Sequence, residues 1–459
     1  MKDHAQMTMP DDPGQSQSAQ DLPPGWANPR PQRGYDLVVI GSTRVGVAAA
    51  LAAVERGARV ALVARDLGYE DHSIRWLSGS SAAPEFAETS ARWRQQLDRQ
   101  LPLWELLGYG VDVFFGPARF VGPRALEVDD VRLEFLRAVL ASGPRCTAGG
   151  AAADPAPFLT PEALARIESP PRRLLVVGDG SQACEIAQAF CRLGSEVHLA
   201  AGSDGILPRA DRRAADWLLD RLTAEGVRVY RGWKISNSSR SGRWQSVVLQ
   251  RQDQRQELIA EHIVEAGESQ LSLAALDPVA AGIRCGSRGV EINRRLQTSN
   301  PAIIAVGHAA GQQFLAGAAT AVGRMAAGNA LARWRKAADP LLVGSATYTD
   351  PQVAHVGLTI SQLDAAQVPV ESHWLELDVP DGCDGEECAG LAIALLAPKS
   401  GRLLGLTIVA KQAALLAAEI SARLSGGRRL NRLAEGPALS AEHEHALRQI
   451  IAACRAARV

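Results

Sequence analysis

Residues 35–46, Tyr35-Asp36-Leu37-Val38-Val39-Ile40-Gly41-Ser42-Thr43-Arg44-Val45-Gly46, decide how this 459-residue chain is read. The mostly apolar run 35–40, bounded by glycines, has the length and composition of a buried parallel strand. The turn from Gly41 to Gly46 leads into an alanine-rich stretch to about Arg56. Gly57 stops that stretch, and a second apolar run covers 59–63. Strand, glycine turn, helix and strand in this order form a βαβ unit of the kind that opens dinucleotide-binding folds.

The unit recurs. Residues 174–177, Leu-Leu-Val-Val, run into Gly178-Asp179-Gly180-Ser181-Gln182-Ala183-Cys184-Glu185. A helix to Gly194 and a strand over 196–200 are expected to follow. Two such units imply two nucleotide-type domains. The composition agrees, because apolar residues make up 46 % of the chain and aromatics only 5 %. An Ala, Gly, Leu and Val pattern suits parallel α/β layers more than a β-sandwich.

Composition also excludes function classes. There are 49 Lys and Arg against 50 Asp and Glu, with no basic stripe for nucleic acid and no acidic block. No apolar run is long enough to span a membrane. Seven scattered cysteines do not form a secreted disulfide framework. Residues 1–33, rich in Pro, Gln, Asp and Ser, read as a disordered tail, and the protein as cytoplasmic.

Four later segments sharpen the picture. Residues 114–123 contain Phe-Phe-Gly-Pro-Ala-Arg-Phe-Val-Gly-Pro ahead of a strand and the turn Ala141-Ser142-Gly143. Residues 298–308, Thr-Ser-Asn-Pro-Ala-Ile-Ile-Ala-Val-Gly-His, end in a strand and a glycine turn. Residues 346–359 open a C-terminal region in which 401–409 reads as an antiparallel strand pair, with helices to finish. In this order the segments resemble the mercuric-reductase-like branch of the pyridine nucleotide-disulfide oxidoreductases, from Tyr35 to the last helix.

The resemblance implies an α/β chain with two Rossmann-like FAD/NAD(P)-binding-type domains and an α+β dimerisation domain. It implies a split flavin domain over 34–149 and 266–336, a nicotinamide domain over 150–265, a dimerisation domain over 338–459, and a homodimer. It also assigns roles. The first turn would hold the FAD pyrophosphate at a helix N-terminus. Its middle glycine is Thr43 here, whose branched side chain is expected to intrude, while Gly41 and Gly46 remain. The acid that would hold the adenosine ribose is replaced by Ala64, with Asp66 two residues on. The aspartate that would meet the ribityl chain is replaced by Gly307-His308. Each lost charge-assisted contact is worth about 1.5–3 kcal/mol. Little or no FAD is therefore expected.

The family's redox dithiol would follow the second strand. Residues 68–85 carry no cysteine; Asp71, His72, Arg75 and Trp76 stand there. The flavin-facing lysine is missing too, since no lysine lies between Lys2 and Lys234. The C-terminal acid/base pair is replaced by Gly436 and Ala441, and His443 and His445 just beyond read as a solvated helix start. The nicotinamide turn keeps Gly178, Gly180 and Glu185, with Ala183 for its third glycine. Its second strand ends without an acid, so at most weak NAD(P) binding is expected. Cys383 and Cys388 have the dithiol spacing but acidic neighbours, and read as an incidental surface pair, with no metal site. Together these readings lead to the expectation of a degenerate homologue without disulfide reductase activity, acting as a dimeric binding or scaffold protein. An oxidoreductase with non-thiol chemistry and a nicotinamide nucleotide sensor are the alternatives.

Overall fold

The computed structural model describes residues 27–31, 34–64, 76, 85–98, 103–143, 158–266, 273–286, 289–312, 316–338, 344–380, 387–398, 400–424, 433 and 438–456. The opening unit is strand β1 (Tyr35–Ile40), helix α1 (Arg44–Val54) and strand β2 (Val60–Ala64). Helix α2 (Phe86–Asp98) and a 3-10 turn over Leu103–Tyr109 lead to β3 (Val111–Phe115). A meander of β4 (Ala118–Gly122), β5 (Ala125–Val128) and β6 (Val131–Leu140) follows. β1 lies between β2 and β6, parallel to both, with Ile40 opposite Val63 and Leu140. β6 is long enough to serve two partners. Its first half pairs antiparallel with β5 and its second half parallel with β1.

Asn28 lies inside the segment expected to be a disordered tail, and it is held. Its side-chain amide donates to the Phe115 carbonyl and accepts from the Phe115 amide, both at 2.8 Å. This pair of bonds satisfies backbone groups on the outer side of edge strand β3, which would otherwise be left unpaired. Residues 1–26 lie outside the described residues.

The second unit contains a short helix α3 (Pro161–Leu164), β7 (Arg173–Val177), α4 (Ser181–Arg192), β8 (Glu196–Ala201), α5 (Arg212–Ala224) and β9 (Arg228–Arg231). An antiparallel flap of β10 (Lys234–Ser241), β11 (Trp244–Arg251) and β12 (Gln254–Ala260) precedes β13 (His262–Glu265). β13 returns beside β7 to give a parallel sheet in the order β13-β7-β8-β9. A small hairpin, β14 (Cys285–Gly286) with β15 (Gly289–Val290), then leads to β16 (Ile303–Ala305), which rejoins the first sheet against β6. Helix α6 (Ala316–Leu331) closes that unit by crossing α1. The crossing is tight because its residues are small: a Cβ on Gly323 would stand 2.5 Å from the Val45 carbonyl oxygen and 2.8 Å from the Ala48 methyl.

The C-terminal unit is one antiparallel sheet under two helices. Its elements are β17 (Gly344–Thr347), β18 (Gln352–Gly357), α7 (Ile360–Ala365), β19 (Glu371–Pro380), β20 (Glu387–Leu396), β21 (Leu403–Ala410), α8 (Ala413–Leu424) and α9 (Ala441–Ala456). The strand order is β17-β18-β21-β20-β19. Leu416, Ile420, Leu447 and Ile450 bury the helices against the sheet. Full burial of each such side chain contributes about 1.5–3 kcal/mol. The strand pair expected over 401–409 is corrected: β21 is a single strand between β18 and β20. Gly405 allows a close approach inside this strand, because a Cβ there would strike the Leu358 carbonyl.

Candidate functional site

In an open α/β sheet the carboxyl ends of the strands form the binding edge. Here β2, β1, β6 and β16 end together. Gly41 N donates to Val63 O at 2.8 Å, Ala141 N to Ile40 O at 2.8 Å, and Val306 N to Leu140 O at 2.9 Å. Gly41, Ala64, Ser142 and Gly307 therefore share one edge, and α1 starts at it. Gly41 has φ +110°, and a Cβ there would lie 2.5 Å from Ala141 O. A Cβ on Gly46 would run into the Gly41 carbonyl. Both glycines are required by contacts within the chain.

Thr43, expected to intrude, has its hydroxyl engaged within the chain. Its hydroxyl accepts from Gly46 N at 3.2 Å and donates to Ala141 O at 2.8 Å. The side chain is turned back against the sheet, where it caps α1. Such a cap is worth about 1 kcal/mol. Beside it, Ser142 Oγ is buried and has no hydrogen-bond partner among the described residues. A buried hydroxyl without a partner marks a place where something else belongs. The Gly41 turn, the start of α1 and the Ser142 hydroxyl together fit the phosphate end of a dinucleotide.

Ala64 is fully buried at the end of β2. Gly116 N donates to the Ala64 carbonyl at 3.0 Å, and the Asp129 carboxylate packs against the Gly116 Cα. Sequence reasoning did not single out Asp129, which comes from the β5–β6 turn. Gly307 has φ +68° and is buried, while His308 is exposed in a 3-10 turn over Gly307–Ala310. Asp66, Asp71, His72 and Arg75 lie outside the described residues. Trp76 is buried against Trp93 and Phe190, so it belongs to a core.

The second turn is built differently. Gly178 has φ +145°, and Gly180 is the N-cap of α4 with no side chain to cap it. The first-turn amides of α4 thus lack the side-chain cap that Thr43 gives α1, which suits an anion. Ala183 is fully buried. Glu185 is spoken for: its carboxylate accepts from Tyr348 N at 2.8 Å. Ser181 Oγ accepts from Thr347 at 2.8 Å, Gln188 bonds both the amide and the carbonyl of Asp350, and Arg192 bridges Glu225 and Asp350. One face of α4 is therefore docked on the C-terminal unit.

Four cysteines have described side chains, and each thiol is held above its ordinary pKa. Burial pushes the thiol of Cys184 far up, and that of Cys454 to about 11. Cys191 and Cys285 are also raised, first by desolvation and then by Glu225 and Glu291. Cys383 lies outside the described residues.

His443 corrects the reading of a solvated helix start. It is 3 % exposed, and its Nδ1 lies 2.8 Å from Glu419 Oε2 on α8. Arg423 bonds the other oxygen of Glu419. Burial works against the Glu419 charge, but the bonds from His443 and Arg423 outweigh it and hold the carboxyl below its ordinary pKa. His445 is exposed and bonds Gln449 at 3.0 Å. Ala441 begins α9, and Gly436 lies outside the described residues. Among the described residues no group of three or more His, Cys, Asp or Glu could hold a metal ion, and no helix is long and apolar enough to cross a membrane.

Comparison with known proteins agrees with this architecture. Residues 35–333 match a family described as pyridine nucleotide-disulphide oxidoreductase, and residues 343–439 match its dimerisation domain. The chain is 27 % identical over 421 residues to a mercuric reductase of Staphylococcus aureus, covering 83 % of this chain and 75 % of that protein. It is 29 % identical over 434 residues to a dihydrolipoyl dehydrogenase of Thermus scotoductus, covering 86 % and 91 %. The HOCl-induced flavoprotein disulfide reductase RclA of Escherichia coli has the same fold, with a TM-score of 0.71 at 19 % identity, covering 91 % of this chain and 99 % of that one. These matches are to pyridine-nucleotide and flavin proteins. They overturn the expectation of little or no FAD and at most weak NAD(P).

Proposed function

The chain belongs to the pyridine nucleotide-disulphide oxidoreductase family, and from that premise we propose that it is an FAD- and NAD(P)H-dependent oxidoreductase that works without the family's N-terminal dithiol. The flavin unit in this reading comprises 34–149 and 266–336, the nicotinamide unit 150–265 and the dimerisation unit 338–459. The working form is a homodimer.

The observation that carries the proposal is the edge formed by Gly41, Thr43, Ser142 and Gly307. There the helix start is capped by Thr43, and the buried Ser142 hydroxyl has no partner among the described residues. FAD, when bound, supplies the two-electron redox chemistry. The residues of this chain bind and orient. The start of α1 and Ser142 would face the pyrophosphate, His308 replaces an acceptor by a group that also donates, and the uncapped start of α4 would receive the nicotinamide nucleotide. No cysteine precedes Cys146, and the described thiols sit above their ordinary pKa. The stretch between β2 and α2, where the resemblance puts the dithiol, holds no cysteine, so a thiol relay there has no nucleophile. The scaffold role loses its premise once flavin binding is expected.

The test is NAD(P)H oxidation by FAD-supplemented protein with quinone and oxygen acceptors, before and after alkylation with iodoacetamide. Turnover that survives alkylation supports the proposal. Absence of turnover with every acceptor, or its loss on alkylation, argues against it.

A further inference from the structure

At the opposite, amino edge of the first sheet lies a groove of about 1040 Å³, formed by the start of β1, the end of α1, β6 and the carboxyl half of α6. Neither glycine turn contributes to it. Arg137 forms part of its wall. On β6, Arg137 stands opposite Leu37 of β1. Leu37 and the next residues of the same row, Val39 and Val139, are all fully buried. Strand residues alternate between faces, so Arg137 continues a core-facing row. A row of apolar side chains thus ends in a guanidinium that is only partly exposed.

Among the described residues that guanidinium has no counter-ion. Its Nη1 donates to the carbonyl of its own neighbour Leu136 at 3.0 Å. No carboxylate pairs with it among the described residues, and the charges acting on it are those of Arg335 and Arg124. Desolvation and these like charges all work against its charged form. Arg56, Arg324 and Lys336 also line the groove. Two opposing pairs are already satisfied: Asp36, the acid of the lining, is bound to Arg59, and Arg324 is bound to Glu55. Among the described residues Arg137, Arg56 and Lys336 have no carboxylate partner, though Arg56 donates to the Ala52 carbonyl. Lys336 is held at the mouth, because the Asn329 side chain bonds both its amide and its carbonyl at 2.8 Å.

We propose that this groove binds a multivalent oxyanion of the phosphate class, with Arg137 as its main contact and Arg56 and Lys336 at its sides. Arginine matches phosphate through paired N–H donors, and a partly desolvated guanidinium with only like charges nearby gains most from such a partner. The site is separate from the flavin and nicotinamide edges and does not rest on their assignment.

The test is calorimetry with inorganic pyrophosphate at constant ionic strength, in the presence of saturating FAD and NADP. The expected result is one saturable site per chain with a Kd below about 1 mM. Arg137→Gln and Lys336→Gln should each weaken it by about tenfold or more. Both variants should keep the flavin content of the parent. Absence of saturable binding up to about 10 mM overturns the proposal. So does unchanged affinity in both variants, which would place the anion outside this groove. If Arg137→Gln does not fold, Lys336→Gln, whose side chain is exposed, decides alone.

Discussion

Thr43 Oγ1 and the Ala141 carbonyl oxygen are 2.8 Å apart, and this hydrogen bond ties the first glycine turn to the end of the neighbouring central strand. The same hydroxyl caps α1 through Gly46 N. A threonine that looks obstructive in sequence is thus a structural brace whose bulk faces the sheet. Thr43→Val keeps the shape and removes both bonds. It should lower stability by about 1–2 kcal/mol, read as a shift in urea midpoint. Thr43→Gly should change FAD affinity by less than about tenfold, because the side chain is directed away from the open edge. A gain of a hundredfold or more would mean that Thr43 does obstruct the site.

His355 sits in β18 with Nδ1 2.9 Å from Thr407 Oγ1, and burial lowers its pKa from 6.5 to about 4. The unfolded chain binds this proton more readily than the folded chain. Stability from the neutral ring is therefore full above pH 6.5 and is lost as pH falls towards about 4. The shift corresponds to about 3 kcal/mol at most. Urea midpoints measured from pH 7.5 to 4.5 should fall with a slope that His355→Gln flattens. An equal slope in the variant would assign the acid sensitivity elsewhere.

Glu419 behaves as a carboxylate with a lowered pKa. Its contribution is present above its ordinary value of 4.5 and is lost as pH falls below it. Glu419→Gln leaves Arg423 and His443 without their shared carboxylate, since the amide keeps only one accepting oxygen. The expected cost is about 3–5 kcal/mol at neutral pH, measured as loss of α8 and α9 packing by hydrogen exchange. A variant as stable as the parent would show that the His443–Glu419 contact contributes nothing.

Arg192 holds α4 to the C-terminal unit through Asp350 and to Glu225 beside it, both at 2.9 Å. Arg192→Met should cost about 2–4 kcal/mol and loosen the two units. Limited proteolysis of the native protein would report it. A cleavage rate equal to that of the parent would count against this docking role.

Much of the fold was legible because its signals are local. The run 35–40, Gly41, Gly46 and the βαβ spacing all lie within one unit, and β1 forms over Tyr35–Ile40 as expected. The repeat at 174–185 was read for the same reason. What failed was non-local. The direction of the Thr43 side chain depends on Ala141, 98 residues away. The burial of His443 depends on Glu419 in another helix. The strand pair expected over 401–409 is one strand, with the Leu358 carbonyl placed over Gly405. Arg137 is one charge among many in sequence, and only the register of β6 against β1 puts it in line with a core row.

The most direct measurement is the absorption spectrum of protein purified with excess FAD, with the bound flavin released and quantified, and with NADH or NADPH then added without oxygen. The account predicts close to one FAD per subunit and bleaching of its band in cysteine-alkylated as well as untreated protein. A colourless protein that retains no flavin would contradict it, and so would flavin that only the unalkylated protein can reduce.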